Sequence, residues 1–125
     1  MSTISLSGKP SGHKAYRVVP DPDDPIILQI DGKLCQVMEI SATGFNTPDD
    51  VVTRGRRYPF SMDLPTSMTP INGYVDVLDE GVNSKGLGYR FVDLATEELD
   101  ALHHYVLVRQ KQAIRALRAA RDGLA

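Results

Sequence analysis

The 125 residues suit a single domain, and a hydrophobic fraction of 42% allows a modest core. A formal net charge of -2 excludes a molecule that binds nucleic acid by overall charge. One cysteine, Cys35, excludes an internal disulfide and a metal site made of thiols alone.

Residues 1–12 are rich in Ser and Gly and poor in bulky side chains, the pattern of a flexible tail. They hold no long apolar run, so neither a signal peptide nor a membrane span is predicted, and a cytoplasmic location is expected. Residues 13–17 follow with His13, Lys14 and Arg17, three groups able to carry positive charge, beside Tyr16. A segment like this reads either as a solvated basic stretch or as an anion grip. The guanidinium fork of Arg17 suits phosphate or the O6/N7 edge of guanine. Pro20, Pro22 and Pro25, interleaved with Asp21, Asp23 and Asp24, make a stiff acidic connector that blocks helix.

Strands then follow in quick succession. Residues 26–30 form an apolar strand, Asp31-Gly32 is a two-residue hairpin signal, and residues 33–40 return as the second strand. Cys35 falls within that strand pattern and reads as a small core residue. Residues 45–47 begin a third strand, and residues 51–56 are ambiguous. Residues 57–64 place Tyr58, Phe60, Met62 and Leu64 on one face. Residues 71–78 alternate again, and 87–92 complete the set. Six short strands with turn signals between them predict an antiparallel barrel or sandwich. Arg54, Arg56 and Arg57 surround Gly55, read either as a solvated turn or as a phosphate contact.

From Thr96 the apolar period becomes helical. Thr96 is the expected N-cap, with Glu97, Glu98 and Asp100 at the positive end of the dipole. Nothing breaks the helix before Gly123. Its first half is expected to pack on the barrel. Its second half, carrying Arg109, Lys111, Arg115, Arg118 and Arg121, is expected to project. Ile114 and Leu117 lie three apart within that basic stretch, which predicts self-association or docking onto an acidic protein surface. His103 and His104 point about 100° apart on a helix and cannot chelate one ion as a pair.

One stretch carries more chemistry than the rest. Glu39 and Ser41 are two apart, so on a strand they share a side, while Ile40 points to the core. Gly44 then bends the chain, with freedom for positive φ and no Cβ in the way of a ligand. Acceptor and donor side by side suit a ligand with a donor-rich edge, such as guanine. The same residues also read as an ordinary hairpin turn with a solvated Glu39. No nucleophile elbow, Walker loop or metalloprotease motif is present, so no catalytic activity and no cofactor or metal are expected.

The stretch Glu39-x-Ser41-x-x-Gly44 resembles the second signature of the PilZ domain family, Asp/Asn-x-Ser-x-x-Gly. The segment from His13 to Arg17, followed by Val18-Val19-Pro20, resembles the first, Arg-x-x-x-Arg, with His13 in the place of the first arginine. Residues 88–94, Gly-Tyr-Arg-Phe-Val-Asp-Leu, are similar to the family's last strand, with a helix after it as in the family. The likeness runs from about residue 14 to 108.

PilZ domains are bacterial six-stranded barrels, and many bind cyclic di-GMP. The resemblance therefore implies a mainly β fold, a six-stranded antiparallel barrel with a long C-terminal α-helix. It divides the chain into a tail (1–12), a PilZ-like domain (13–108) and the distal helix (109–125). It implies a non-catalytic cyclic di-GMP receptor or adaptor in second-messenger signalling. The ligand-binding positions carried over are His13, Lys14, Arg17, Glu39, Ser41 and Gly44. Arg17 would be the main grip, with His13 and Lys14 as weaker help. Glu39 would accept from guanine, Ser41 would bond base or phosphate, and Gly44 would admit the ligand to the backbone. The alternative is a PilZ-fold protein–protein module without nucleotide, because histidine at position 13 lacks arginine's permanent charge and fork. A barrel for single-stranded nucleic acid is disfavoured by the acidic balance and the lack of an aromatic–basic stripe.

Overall fold

The computed structural model describes residues 16–78 and 86–123. Among these residues seven strands form one antiparallel sheet: β1 (Ile27–Ile30), β2 (Lys33–Gln36), β3 (Glu39–Ile40), β4 (Gly44–Thr47), β5 (Arg57–Asp63), β6 (Ile71–Val77) and β7 (Leu87–Val92). The helix α1 spans Thr96–Gly123. Strand order across the sheet is β2-β1-β5-β6-β7-β4-β3. The mainly β class and the C-terminal helix are as expected, but the strand count differs by one.

The difference has a local cause. The expected second strand, residues 33–40, bends at Val37 and Met38. Val37 N–H still donates to the Ile26 carbonyl beside β1, whereas Met38 N–H donates to the Asn46 carbonyl beside β4. One segment thus forms both edges, β2 and β3, and curls the sheet so that its two ends meet at that corner. The hairpin between β1 and β2 turns at Asp31 and Gly32, both at positive φ (52° and 72°), as the two-residue turn requires.

Alternation sets what lies inside. Leu28 and Ile30 of β1, Phe60 and Met62 of β5, and Val75 and Val77 of β6 are all buried. Phe45 of β4 stacks on Tyr89 of β7 at 4.5 Å between ring centroids. Phe60 and Phe91 tilt against Phe45 at 6.2 and 5.5 Å. Cys35 departs from expectation: it is only partly buried at the core's margin, where burial and the nearby Asp49 carboxylate push its thiol pKa up.

The helix begins one residue earlier than expected. The Ala95 carbonyl accepts from Leu99 N–H, which makes Ala95 the N-cap in place of Thr96. The Glu98 carboxylate reaches back to Ala95 N–H at 3.3 Å, and its other oxygen accepts from Asn72 N–H of β6 at 2.8 Å. That carboxylate therefore caps the helix and pins its start to the sheet. Leu102, Tyr105 and Val106 seal the core, and every described residue from Lys111 onward is exposed. The projecting second half is as expected, with Ile114 and Leu117 46% and 71% exposed. Arg109 is the exception, because it turns back to the body.

Candidate ligand site

Val18 is the anchor of the site. Its N–H donates to the Ile40 carbonyl at 2.9 Å, and Ile40 N–H donates to the Val18 carbonyl at 3.0 Å. This one bridge lays the N-terminal segment along the free side of β3. Side chains alternate, so the residues flanking Val18 face away from the core. Arg17 Nη1 lies 3.9 Å from Glu39 Oε1, with both side chains more than one third exposed. Arg17 and Glu39, the positions set by resemblance in the two expected motifs, are therefore brought together. On the other flank, the Val19 carbonyl accepts from Arg109 Nε of the helix at 2.9 Å, and Arg109 Nη1 donates to Gln112 Oε1 at 2.7 Å. Arg109 thus clamps the segment that holds Arg17, a role its place among the projecting basic residues did not suggest.

The other two described motif residues have structural duties. Ser41 is buried, and its hydroxyl closes the turn between β3 and β4. Ser41 Oγ accepts from the N–H groups of Thr43 and Gly44 at 3.2 and 3.3 Å and lies 3.1 Å from Thr43 Oγ1. It is not a surface donor standing beside Glu39. Gly44 does not adopt positive φ. Its lack of a Cβ serves the sheet, because a Cβ there would run into the Tyr89 carbonyl and lie 3.3 Å from Arg90 Cα. The demand for glycine comes from the neighbouring strand. His13 and Lys14 lie outside the described residues.

Register adds residues that motif reading missed. Arg57 of β5, Asp76 of β6, Arg90 of β7 and Gly44 of β4 stand side by side across four strands. Arg57 grips Asp76 with two bonds of 2.7 and 3.2 Å. Arg90 Nη2 sits 3.8 Å from the same carboxylate. The Arg57 guanidinium, helped by Arg90, holds the Asp76 carboxyl below the usual range. Of the cluster around Gly55, Arg54 bonds Asp50 and the Gly86 carbonyl, so Arg54 and Arg57 are engaged with the barrel surface. Arg56, Arg57 and Arg90 line one groove of about 360 Å³. Arg90 also lines a second of about 420 Å³, walled by Phe91, Leu94 and Leu99 and floored by Ala42 and Thr43 of the Ser41–Gly44 turn.

Among the described residues no cluster of three or more His, Cys, Asp or Glu side chains is placed to hold a metal ion. Among them no helix is long and apolar enough to cross a membrane.

Solved structures that share this architecture include the following two. The crystal structure of YcgR in complex with c-di-GMP from Escherichia coli matches with a TM-score of 0.64 and 12% identity, over 90% of this chain and 50% of that one. The crystal structure of the uncharacterized Legionella protein Lpg0364 matches with a TM-score of 0.53 and 11% identity, over 81% of this chain and 98% of that one. At such identities the likeness is one of fold, and this chain spans about half the length of the YcgR chain. No protein-family model matches the sequence, and no curated protein does. The fold is the PilZ-like one that the resemblance implied: a curled antiparallel sheet with one C-terminal helix.

Proposed function

We propose that this chain is a receptor or adaptor for cyclic di-GMP that acts without catalysis. The observation that carries the reading is the Arg17–Glu39 pair at the edge of β3. Two groups suited to phosphate and to guanine meet there, on the fold of a protein crystallised with that nucleotide. At 3.9 Å and more than one third exposed, the pair is worth about 0–1 kcal/mol. A phosphate gripped by the guanidinium gains about 1.5–3 kcal/mol per charge-assisted bond, so an anion displaces Glu39 from Arg17. The released carboxylate then accepts from guanine N1–H and N2–H₂. His13 and Lys14 add positive charge from the same N-terminal segment. Binding reorders that segment over the barrel and changes the surface offered to a partner protein.

Titration calorimetry with cyclic di-GMP tests this. Micromolar or tighter binding is expected in the parent protein. Arg17→Ala should weaken it by about 1.5–3 kcal/mol while leaving the ligand-free Tm unchanged. Unaltered affinity in that variant removes Arg17 from the site.

A second reading has its own support. Ser41 is enclosed in its turn and Gly44 is required by Tyr89, so the second motif also makes sense as architecture alone. The chain is then an interaction module that binds no nucleotide. Its contact surface is the exposed distal helix, whose Lys111, Arg115, Arg118 and Arg121 suit an acidic protein. Silence in the calorimeter at high nucleotide concentration favours this reading over the first.

A further inference from the structure

Glu39 pairs with Asn46, Asn46 is two residues from Gly44, and Gly44 pairs with Arg90. Parity therefore puts Glu39 and Arg90 on the same outer face, two strands apart. Gly44 and its neighbour Gly88, the partner of Asn46, carry no side chains, so the floor between them is low. Arg17 approaches this floor from the β3 side, and Arg90 borders it on β7.

Arg90 is also weakly held. Its side chain is 65% exposed, and its one described ion-pair partner, Asp76, is already committed to Arg57 by two shorter bonds. The groove beside it has the makings of a base site. Phe91, Leu94 and Leu99 offer an apolar wall, and Asp93 lines the same groove. Its volume of about 420 Å³ falls in the range of small-molecule sites, about 300–1,000 Å³. Arginine matches guanine O6 and N7 or a phosphate, and a carboxylate accepts from guanine N1–H and N2–H₂.

We infer that Arg90 is a second ligand-gripping guanidinium, and that the groove between it and Asp93 receives a guanine base of the nucleotide. Arg90 supplies from the last strand the fork that His13 does not supply from the N-terminal segment. This rests on the nucleotide-binding reading above.

The test is calorimetry with cyclic di-GMP on the parent, Arg90→Gln and Arg90→Lys, with Arg121→Gln on the distal helix as control. Arg90→Gln should bind about 10- to 100-fold more weakly, the size expected for a lost charge-assisted bond. Arg90→Lys should fall between it and the parent, because lysine keeps charge without the fork. Arg121→Gln should bind as the parent does. In the parent, the NMR signal of the Arg90 side-chain Nε–H should shift on saturation with nucleotide. That signal decides the matter if either variant fails to fold. A parent that binds, with Arg90→Gln within twofold of it and an unmoved Nε–H signal, overturns this inference and leaves the receptor reading standing. A parent that does not bind overturns both.

Discussion

The Arg109 guanidinium of the helix donates Nε–H to the Val19 carbonyl, 2.9 Å away and 90 positions earlier in the chain. Two residues from that carbonyl stands Arg17, paired with Glu39. Helix and the Arg17–Glu39 pair are therefore linked through three consecutive residues, with Val18 held by its bridge to Ile40 between them. Arg109→Gln should loosen this segment. Hydrogen exchange at the Val18 and Ile40 amides should quicken about 10- to 150-fold, corresponding to the roughly 1.5–3 kcal/mol of one charged hydrogen bond. Exchange unchanged at both amides would show that the bridge stands without Arg109.

Gly44→Ala should be the costliest single-methyl addition in the β3–β4 hairpin. The new Cβ would meet backbone, the Tyr89 carbonyl, and backbone cannot rotate away as a side chain can. Overpacking of this kind costs about 1–3 kcal/mol or more. Thermal unfolding should register it as a drop of roughly 5–10 °C in Tm without ligand. A variant as stable as the parent would return Gly44 to the role first expected of it, clearance for a ligand.

This separates what was legible in the sequence from what was not. Strands with strict alternation, such as residues 57–63, could be read because burial on one face leaves a local trace. The Asp31-Gly32 turn could be read because its dihedrals demand those residue types. Arg17 and Glu39 were found by motif order, and the sheet does bring them together. For Ser41 and Gly44 the sequence does not show that the hydroxyl turns inward or that a neighbouring carbonyl crowds the strand, so their structural duties could not be read from it. Arg90 was quoted only as part of a similar strand. Its place beside Gly44 depends on the register between strands more than forty residues apart, which no local pattern encodes. The clamp at Arg109 was missed for the same reason, since basic residues near a helix C-terminus have an electrostatic explanation of their own.

Tyr89 should set the alkaline limit of stability. Burial is the main cause that pushes its phenol pKa up to about 12 from its ordinary value of 10.0, partly offset by its bond to Thr47. A raised folded pKa means the neutral form is favoured in the native state. The stabilisation is complete below about pH 10 and is lost as pH rises toward about 12. Burial raises Tyr105 as well, and its loss has the same sign. Denaturant midpoints measured from pH 8 to 12 should hold steady and then fall above pH 10. Tyr89→Phe should make that fall shallower. Midpoints that rise across this window would contradict the assignment.

The distal helix should contribute little to the body's own stability. Every described residue from Lys111 onward is exposed, so Ile114→Ser with Leu117→Ser should change unfolding free energy by about 1 kcal/mol at most. Amides in residues 112–123 should exchange quickly in dilute solution, because a dozen residues of isolated helix are marginal in water. Slow exchange that grows slower with protein concentration would mean that copies of the chain cover one another there. A destabilisation above about 2 kcal/mol would mean that Ile114 and Leu117 belong to the body's core.

The bend at Val37 and Met38 has a consequence for how anything recognises this molecule. A sheet with two open margins invites a foreign strand to add itself, in signalling as in aggregation. Here both margins are successive parts of one segment. The β3 margin is taken by Val18, which exchanges backbone bonds with Ile40. A visiting strand on that side would have to displace Val18, and with it the segment that sets Arg17 beside Glu39. Selection of a partner on that side then falls to side chains on faces and loops, where a single substitution can retune it without disturbing the hydrogen-bonded ladder.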